Sequence, residues 1–283
     1  GDMVWHKPWI DYLAVGFDVI LAAKPTAHAK TLFYGTEGIV DWLDIDRSMR
    51  GRRGRHDGLA GFFRLAAEFR RVRADAVLVM HHSATYTLAA QLAGIPLRWG
   101  YGIGNSRRWL NRGDFLDRGA RNERPFKKLG RYAFANGFGL DEPRWTISTT
   151  AGAWSNVQDY CERQGITAEL ENRSVGRKMV VFGVGAMNDE RQWPPSFFAL
   201  LAAYLNAQWP DLKILLMGSP SEMPIIDAVI ADSNAPSGLL ANTAPLDEAV
   251  ALLTLARAFI GNDSGLLNIA AACGRPTIGI FAQ

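Results

Sequence analysis

Three strand ends in the second half of the chain carry residue types suited to holding a diphosphate and a ribose. In Phe259-Ile260-Gly261-Asn262-Asp263-Ser264-Gly265-Leu266-Leu267-Asn268 an apolar strand runs into Asp-Ser-Gly and then into a helical pattern. Asp263 or Ser264 can cap that helix, which leaves its first backbone N–H groups and its dipole facing an anion. A second strand ends in Phe182-Gly183-Val184-Gly185-Ala186-Met187, small residues that let a ligand approach the backbone closely. Arg191 follows within reach of the same crevice. The dinucleotide fingerprint fails here, because Asn188 stands where the third glycine belongs. A third strand ends in Leu216-Met217-Gly218-Ser219-Pro220-Ser221-Glu222, where the Glu222 carboxylate can accept from ribose hydroxyls or sit at a helix start. Open α/β sheets bind ligands at the carboxyl ends of their strands, so three such turns together point to a nucleotide.

The elements that must position these residues are legible as short β-rich runs alternating with amphipathic stretches, the pattern of α/β layering around parallel sheets. In the first half Phe17–Ala23, Gly38–Leu43, Ala76–Met80 and Leu97–Tyr101 read as strands, with helices at Leu59–Arg73 and Ala84–Leu92. The stretch from Asn105 to Pro143 is basic, aromatic and without a clean period, either a loop or a pair of helices. In the second half strands are expected at Met179–Val184, Lys213–Met217, Gly238–Ala241, Ala258–Ile260 and Thr277–Phe281. Helices are expected near Ser196–Gln208, Glu222–Ala231, Leu246–Ala256 and Leu266–Cys273. A further helix, Ala151–Gly165, precedes a polar stretch at Glu169–Lys178. The chain of 283 residues divides on this reading into two Rossmann-like domains, 1–160 and 161–283. Gly1-Asp2-Met3-Val4 leads into a helical pattern with no strand before it, and Gln283 follows a strand with no helix behind it. Both ends are therefore expected to be truncated, with a gap or an extra edge at the centre of the first sheet and a second domain open on one face.

Composition narrows the partners. Residues 47–131 hold 19 Lys/Arg against 6 Asp/Glu, while the rest of the chain holds 12 and 22, so a net charge of +3 conceals a strongly basic first half. Such a segment suits an anionic partner: nucleic acid, an acidic membrane surface or a phosphorylated substrate, with a solvated surface as the plain alternative. No apolar run reaches the roughly 20 residues of a membrane span. Cys161 and Cys273 are far apart and without metal-ligand spacing, which reads as a reducing, cytoplasmic setting.

The ordered set Gly185-Ala186…Arg191-x-Trp193-Pro194, Gly218…Glu222 and Gly261-Asn262-Asp263-Ser264-Gly265…Ala270-Ala271-Ala272…Pro276-Thr277…Phe281 resembles the ADP-heptose:lipopolysaccharide heptosyltransferases, family-9 glycosyltransferases of the GT-B fold. Gly1-Asp2-Met3-Val4…Pro8 and Asp75-Ala76-Val77-Leu78…Ser83…Gly94-Ile95-Pro96…Gly100-Tyr101 are similar to the family's first-half signatures. The resemblance implies two Rossmann-like doubly wound domains with a cleft between them and an inverting transfer that needs neither metal nor cofactor. The donor it implies is a nucleotide-diphosphate sugar, ADP-heptose, and the acceptor a lipopolysaccharide core or similar anionic glycolipid. The setting it implies is the cytoplasm, with peripheral contact at the inner membrane and no nucleic acid. It gives Asp2 the role of general base toward the acceptor hydroxyl. It further implies that Arg191 neutralises the diphosphate, that Glu222 binds ribose, and that Gly185, Ala186, Met187, Asp263, Ser264, Gly265, Leu266 and Asn268 complete the donor site. Cationic side chains and helix N-termini would then stabilise the leaving group.

Two departures from the family pattern stand out. Asn268 occupies a position where the family commonly has histidine; it can donate a hydrogen bond but carries no charge. Met187 stands where a small hydroxyl residue is frequent. In the first half, His81 and His82 lie between a strand and a helix, at a crevice edge where they can touch acceptor or donor sugar or serve only the fold. Asp44-Ile45-Asp46 has the spacing of a metal-bridging pair, but an exposed strand terminus accounts for it. The basic segment with Trp99, Tyr101, Trp109, Phe115 and Phe126 interleaved matches a nucleic-acid module, which leaves the second half unexplained. Within the same fold a hexosyltransferase or a sugar-nucleotide epimerase is the alternative.

Overall fold

The computed structural model describes residues 2–48, 53–138, 143–166, 179–186, 188–233 and 238–281, with the side chains of Asp2 and Asp189 left out. The chain forms two compact units. One comprises Asp2–Ala29 and Thr36–Arg144; the other takes Lys30–Gly35 together with the chain from Trp145 onward. The division at Arg144/Trp145 places the helix Ala151–Arg163, here α6, with the second unit, where it packs against α9 (Leu246–Leu255).

In the first unit α1 (Asp2–Gly16) leads into β1 (Val19–Ala23), which pairs in parallel with β2 (Ile39–Asp44). The short α2 (Ala29–Leu32) lies between those two strands in sequence. A second parallel pair joins β3 (Ala76–Val79) to β4 (Leu97–Gly100). Among the described residues no ladder links one pair to the other, so this unit has the interrupted sheet expected from the sequence. The helix α3 (Gly58–Val72) forms because its apolar positions recur every three to four residues. Gly61, Leu65, Ala66 and Phe69 are buried, while Arg64, Arg70 and Arg71 hold the outer face. It packs with α4 (Ala84–Leu92) around Leu65, Ala89, Ala90 and Ile95. The stretch after β4 resolves into two 3-10 turns, Gly104–Trp109 and Arg118–Asn122, and one helix, α5 (Pro125–Ala135). Tyr132 of α5 anchors it: its buried hydroxyl accepts the Gly100 N–H at 3.2 Å, and its ring meets that of Tyr101 edge-on at 5.6 Å.

The second unit is built on one parallel sheet of five strands in the order β7-β6-β5-β8-β9. These are β5 (Met179–Gly183), β6 (Lys213–Met217), β7 (Leu239–Asn242), β8 (Ala258–Asn262) and β9 (Thr277–Ile280). Every residue of β5 is buried, as a central strand covered on both faces requires. The connections run through α7 (Pro195–Gln208), α8 (Met223–Asp232), α9 and α10 (Gly265–Ala272). Phe182, Phe198, Ile214, Leu216, Ile226 and Val229 form a core with no exposed surface, each large side chain contributing roughly 1.5–3 kcal/mol by its burial. No helix among the described residues is long and apolar enough to cross a membrane.

Candidate functional site

The strand order places the topological switch between β5 and β8, whose connections leave in opposite directions and open a crevice at their carboxyl ends. The sequence-selected residues of the second half converge there. A Cβ on Gly183 would strike the Phe259 ring, and one on Gly261 would lie 2.6 Å from the Gly183 carbonyl oxygen of the paired strand. Gly185 is held to glycine by the next turn: a Cβ there would land on the Glu222 carboxylate. That carboxylate is fixed, because Glu222 Oε2 accepts both the Ser219 N–H at 2.6 Å and the Ser219 hydroxyl at 2.8 Å. Ser219 and Glu222 form a capping box over the 3-10 turn Pro220–Glu222, one reading offered for this carboxylate from sequence.

Asn262 is the residue that sequence reasoning quoted without giving it a role. It is fully buried at the end of β8. Its side-chain nitrogen donates to the Val184 carbonyl at 2.8 Å, and its oxygen accepts the Trp193 N–H at 3.0 Å. One amide thus ties the β5 turn, the segment after Arg191 and the β8 turn together. The available signal was a polar side chain closing a buried strand.

Arg191 and Asp263, 72 residues apart, meet at 3.3 Å, with side chains 53% and 39% exposed. The expected cap takes a different form. Ser264 occupies the N-cap position of α10, but its hydroxyl makes no capping bond, and Asp263 turns to Arg191 instead. The Ser264 Oγ is buried without a hydrogen-bond partner. The helix start therefore offers backbone N–H groups and an unsatisfied hydroxyl beside an exposed guanidinium, a set of donors suited to phosphate oxygens. Asn268 donates to the Ser264 carbonyl at 3.3 Å, one turn back along the helix. Gly265, half-buried Leu266 and Ala186 lie in these same turns, while Met187 lies outside the described residues.

His81 and His82 belong to the first unit. Their rings stack at 4.5 Å, His81 meets Tyr86 edge-on at 5.1 Å, and its Nδ1 accepts the Ser83 N–H at 2.9 Å. Asp2 opens α1, its side chain outside the described set. Asp46 is occupied by the fold: its carboxylate accepts the Arg55 N–H at 2.8 Å, and its own N–H donates to His56.

A parallel doubly wound domain with a nucleotide-type crevice at its switch point, in a chain with a second α/β unit, defines the GT-B class of glycosyltransferase fold. The model of glycosyltransferase family 9 (heptosyltransferase) matches residues 62–283, and the chain belongs to that family. It is 27% identical over 229 residues to lipopolysaccharide heptosyltransferase 2 of Escherichia coli K12, an alignment covering 77% of this chain. The chain spans 62% of that relative's length. It is 33% identical over 112 residues to lipooligosaccharide heptosyltransferase 2 of Haemophilus influenzae, covering 37% of this chain and 31% of the relative. The fold is shared with the family-9 glycosyl transferase of Veillonella parvula at a TM-score of 0.77 and 16% identity, covering 99% of this chain and 76% of the other. It is shared also with E. coli ADP-heptose LPS heptosyltransferase II at 0.69 and 21% identity, covering 98% and 80%.

Proposed function

We propose that this chain carries the donor site and the acceptor-side unit of an inverting glycosyltransferase that moves a heptose from ADP-heptose onto an anionic lipopolysaccharide-core acceptor. The observation that carries this reading is the convergence of Gly185, Arg191, Glu222 and Asp263–Gly265 at the β5/β8 switch point. The diphosphate lies against the start of α10, where Arg191 leaves Asp263 to pair with phosphate and the Ser264 hydroxyl gains a partner. The Glu222 carboxylate, pre-oriented by Ser219, receives the ribose hydroxyls. Asp2 takes the proton from the acceptor hydroxyl as its oxygen attacks the anomeric carbon from the face opposite the diphosphate. The departing diphosphate takes the bonding electron pair. Its growing charge is met by Arg191 and the α10 amides, so the charge stabilisation needs no divalent cation. The same reading makes 1–160 the acceptor side and 161–283 the donor side, in a cytoplasmic enzyme that touches the inner membrane only peripherally and uses no nucleic acid.

The test is a thermal-shift and calorimetric screen of ADP-, UDP- and GDP-linked sugars. ADP-linked sugars give the largest shift, and the shift disappears in Arg191→Ala. A preference for UDP would redirect the assignment to an epimerase or hexosyltransferase within the same fold.

A further inference from the structure

We propose that the outward face of α7 docks a second copy of this chain, making a two-fold dimer through the second unit. The inference goes beyond the proposed function and does not depend on it.

No charged residue stands on any side of α7, and its apolar residues run all the way round the helix. Such a helix is normally covered on every side. Its inner face is covered: Phe198, Ala199 and Ala202 are buried, and Phe198 shares a core with Ile226 and Val229 of α8. Its outer face is bare. Phe197 is 46% exposed, Leu200 64%, Tyr204 62%, and Trp209, which ends the helix, 58%. At about 150–250 Å² for a whole aromatic side chain, these four leave roughly 500 Å² of largely apolar surface, as much as the largest patch on an ordinary monomer. Between Arg191 and Lys213 the only charged residue is Asp211. Scattered exposed apolar residues need no explanation, but a continuous uncharged stripe does.

The relief of this face fits its own copy. Leu200 and Tyr204, four residues apart, form a ridge, and the exposed Ala203 and Ala207, also four apart, form the groove beside it. Rows of this kind interdigitate in the commonest class of helix packing, with axes about 8–10 Å apart. A face that holds both a ridge and its groove can be closed by a two-fold axis, each protomer's ridge entering the other's groove. The stripe from Phe197 to Trp209 runs about 18 Å at the rise of an α-helix. Exposed Ser196, Ala203, Ala207 and Pro210 widen it toward the roughly 800 Å² per partner of a standard interface. Two copies bring no like charges together, since the stripe carries none. A lipid surface fits less well. It calls for Lys and Arg beside the apolar face, whereas α7 offers neither, and α8, packed against it, adds only Asp227 and Asp232.

Sedimentation equilibrium of the purified chain across a range of micromolar concentrations tests this, with no nucleotide or acceptor present. The weight-average mass rises with concentration from one protomer toward two. Leu200→Lys and Leu200→Glu each weaken the association by at least about tenfold, as expected for a charge placed at the centre of an apolar interface. Their circular dichroism stays that of the parent chain, because the position is exposed and the inner face of α7 is untouched. Mixing the two variants in equal amounts at low salt restores association, since opposite charges then face each other across the axis. A chain that stays monomeric at every concentration overturns the proposal. So does a dimer indifferent to both substitutions, or a mixture that associates no better than either variant alone. Sedimentation with phosphatidylglycerol vesicles in place of self-association, lost in Leu200→Glu, would also overturn it and assign the face to a lipid surface. None of these outcomes bears on the donor assignment.

Discussion

At the scale of single residues, the crevice proposed to take the donor carries an exposed ion pair. Arg191 and Asp263 neutralise each other across 3.3 Å at the surface, where such a pair adds little stability. Under the proposed function it holds a cation close to the place where phosphate would arrive. Arg191→Ala weakens ADP binding by roughly ten- to a hundredfold, the worth of a charged hydrogen bond at about 1.5–3 kcal/mol, without lowering the melting temperature appreciably. Asp263→Ala also weakens donor binding, because the turn that presents the α10 amides loses its tether. Calorimetry with ADP checks both, and unaltered affinity in Arg191→Ala would remove it from the site. Asp2→Asn is expected to spare ADP affinity and to slow transfer by about 10²–10⁴, the usual range for a lost general base. A near-normal turnover in that variant would show that Asp2 is not the base.

At the scale of elements, what matters is how the strand ends are tied to one another. The β5 turn touches the β6 turn through the Glu222 carboxylate lying where a side chain on Gly185 would be. Gly185→Ala therefore displaces Glu222 from its two bonds to Ser219 and lowers affinity for ADP-linked sugars while β5 itself, buried and paired on both sides, persists. Asn262→Ala leaves the Val184 carbonyl and the Trp193 N–H without partners in a buried setting, a cost of about 1–3 kcal/mol for each, read in a urea melt. In the first unit, Tyr132→Phe strips the Gly100 N–H of its acceptor and loosens α5 from β4, with a loss of about 1–3 kcal/mol by the same measurement. The phenol is buried enough that its pKa is pushed up to about 12, so it remains a neutral hydroxyl at any working pH.

At the scale of the whole molecule the organising fact is the charge asymmetry: 19 basic and 6 acidic residues in 47–131, against an acidic remainder. Part of that positive charge is tied to the fold. Asp57 accepts the Ser48 and Gly54 N–H groups beside Arg47, and Arg131 is shared between Asp117 and Glu123. The rest gives a field that attracts anions over a screening length of about 10 Å at 0.1 M salt. Binding of an anionic glycolipid acceptor is thus expected to weaken steadily as salt is raised from low to physiological strength. An affinity independent of salt would assign the basic surface to solvation alone.

The sequence by itself determined the elements and the turns. Strands and helices fell within a few residues of their expected ends because the signals are local: a run of buried β-formers or a 3.6-residue apolar period. The candidate donor residues were legible for the same reason, since small residues and possible caps stand where three of the strands end. What only the tertiary structure decided is which of these residues meet. The Asn262 clamp, the Arg191–Asp263 pair and the Glu222 carboxylate against Gly185 join segments up to 78 residues apart. The sheet order that brings them together is set by packing both faces of β5, not by any local pattern. The Ser264 cap failed, and Lys30–Gly35 joined the second unit, because a hydroxyl or a short helix goes where long-range packing places it, and periodicity along the chain carries no record of that.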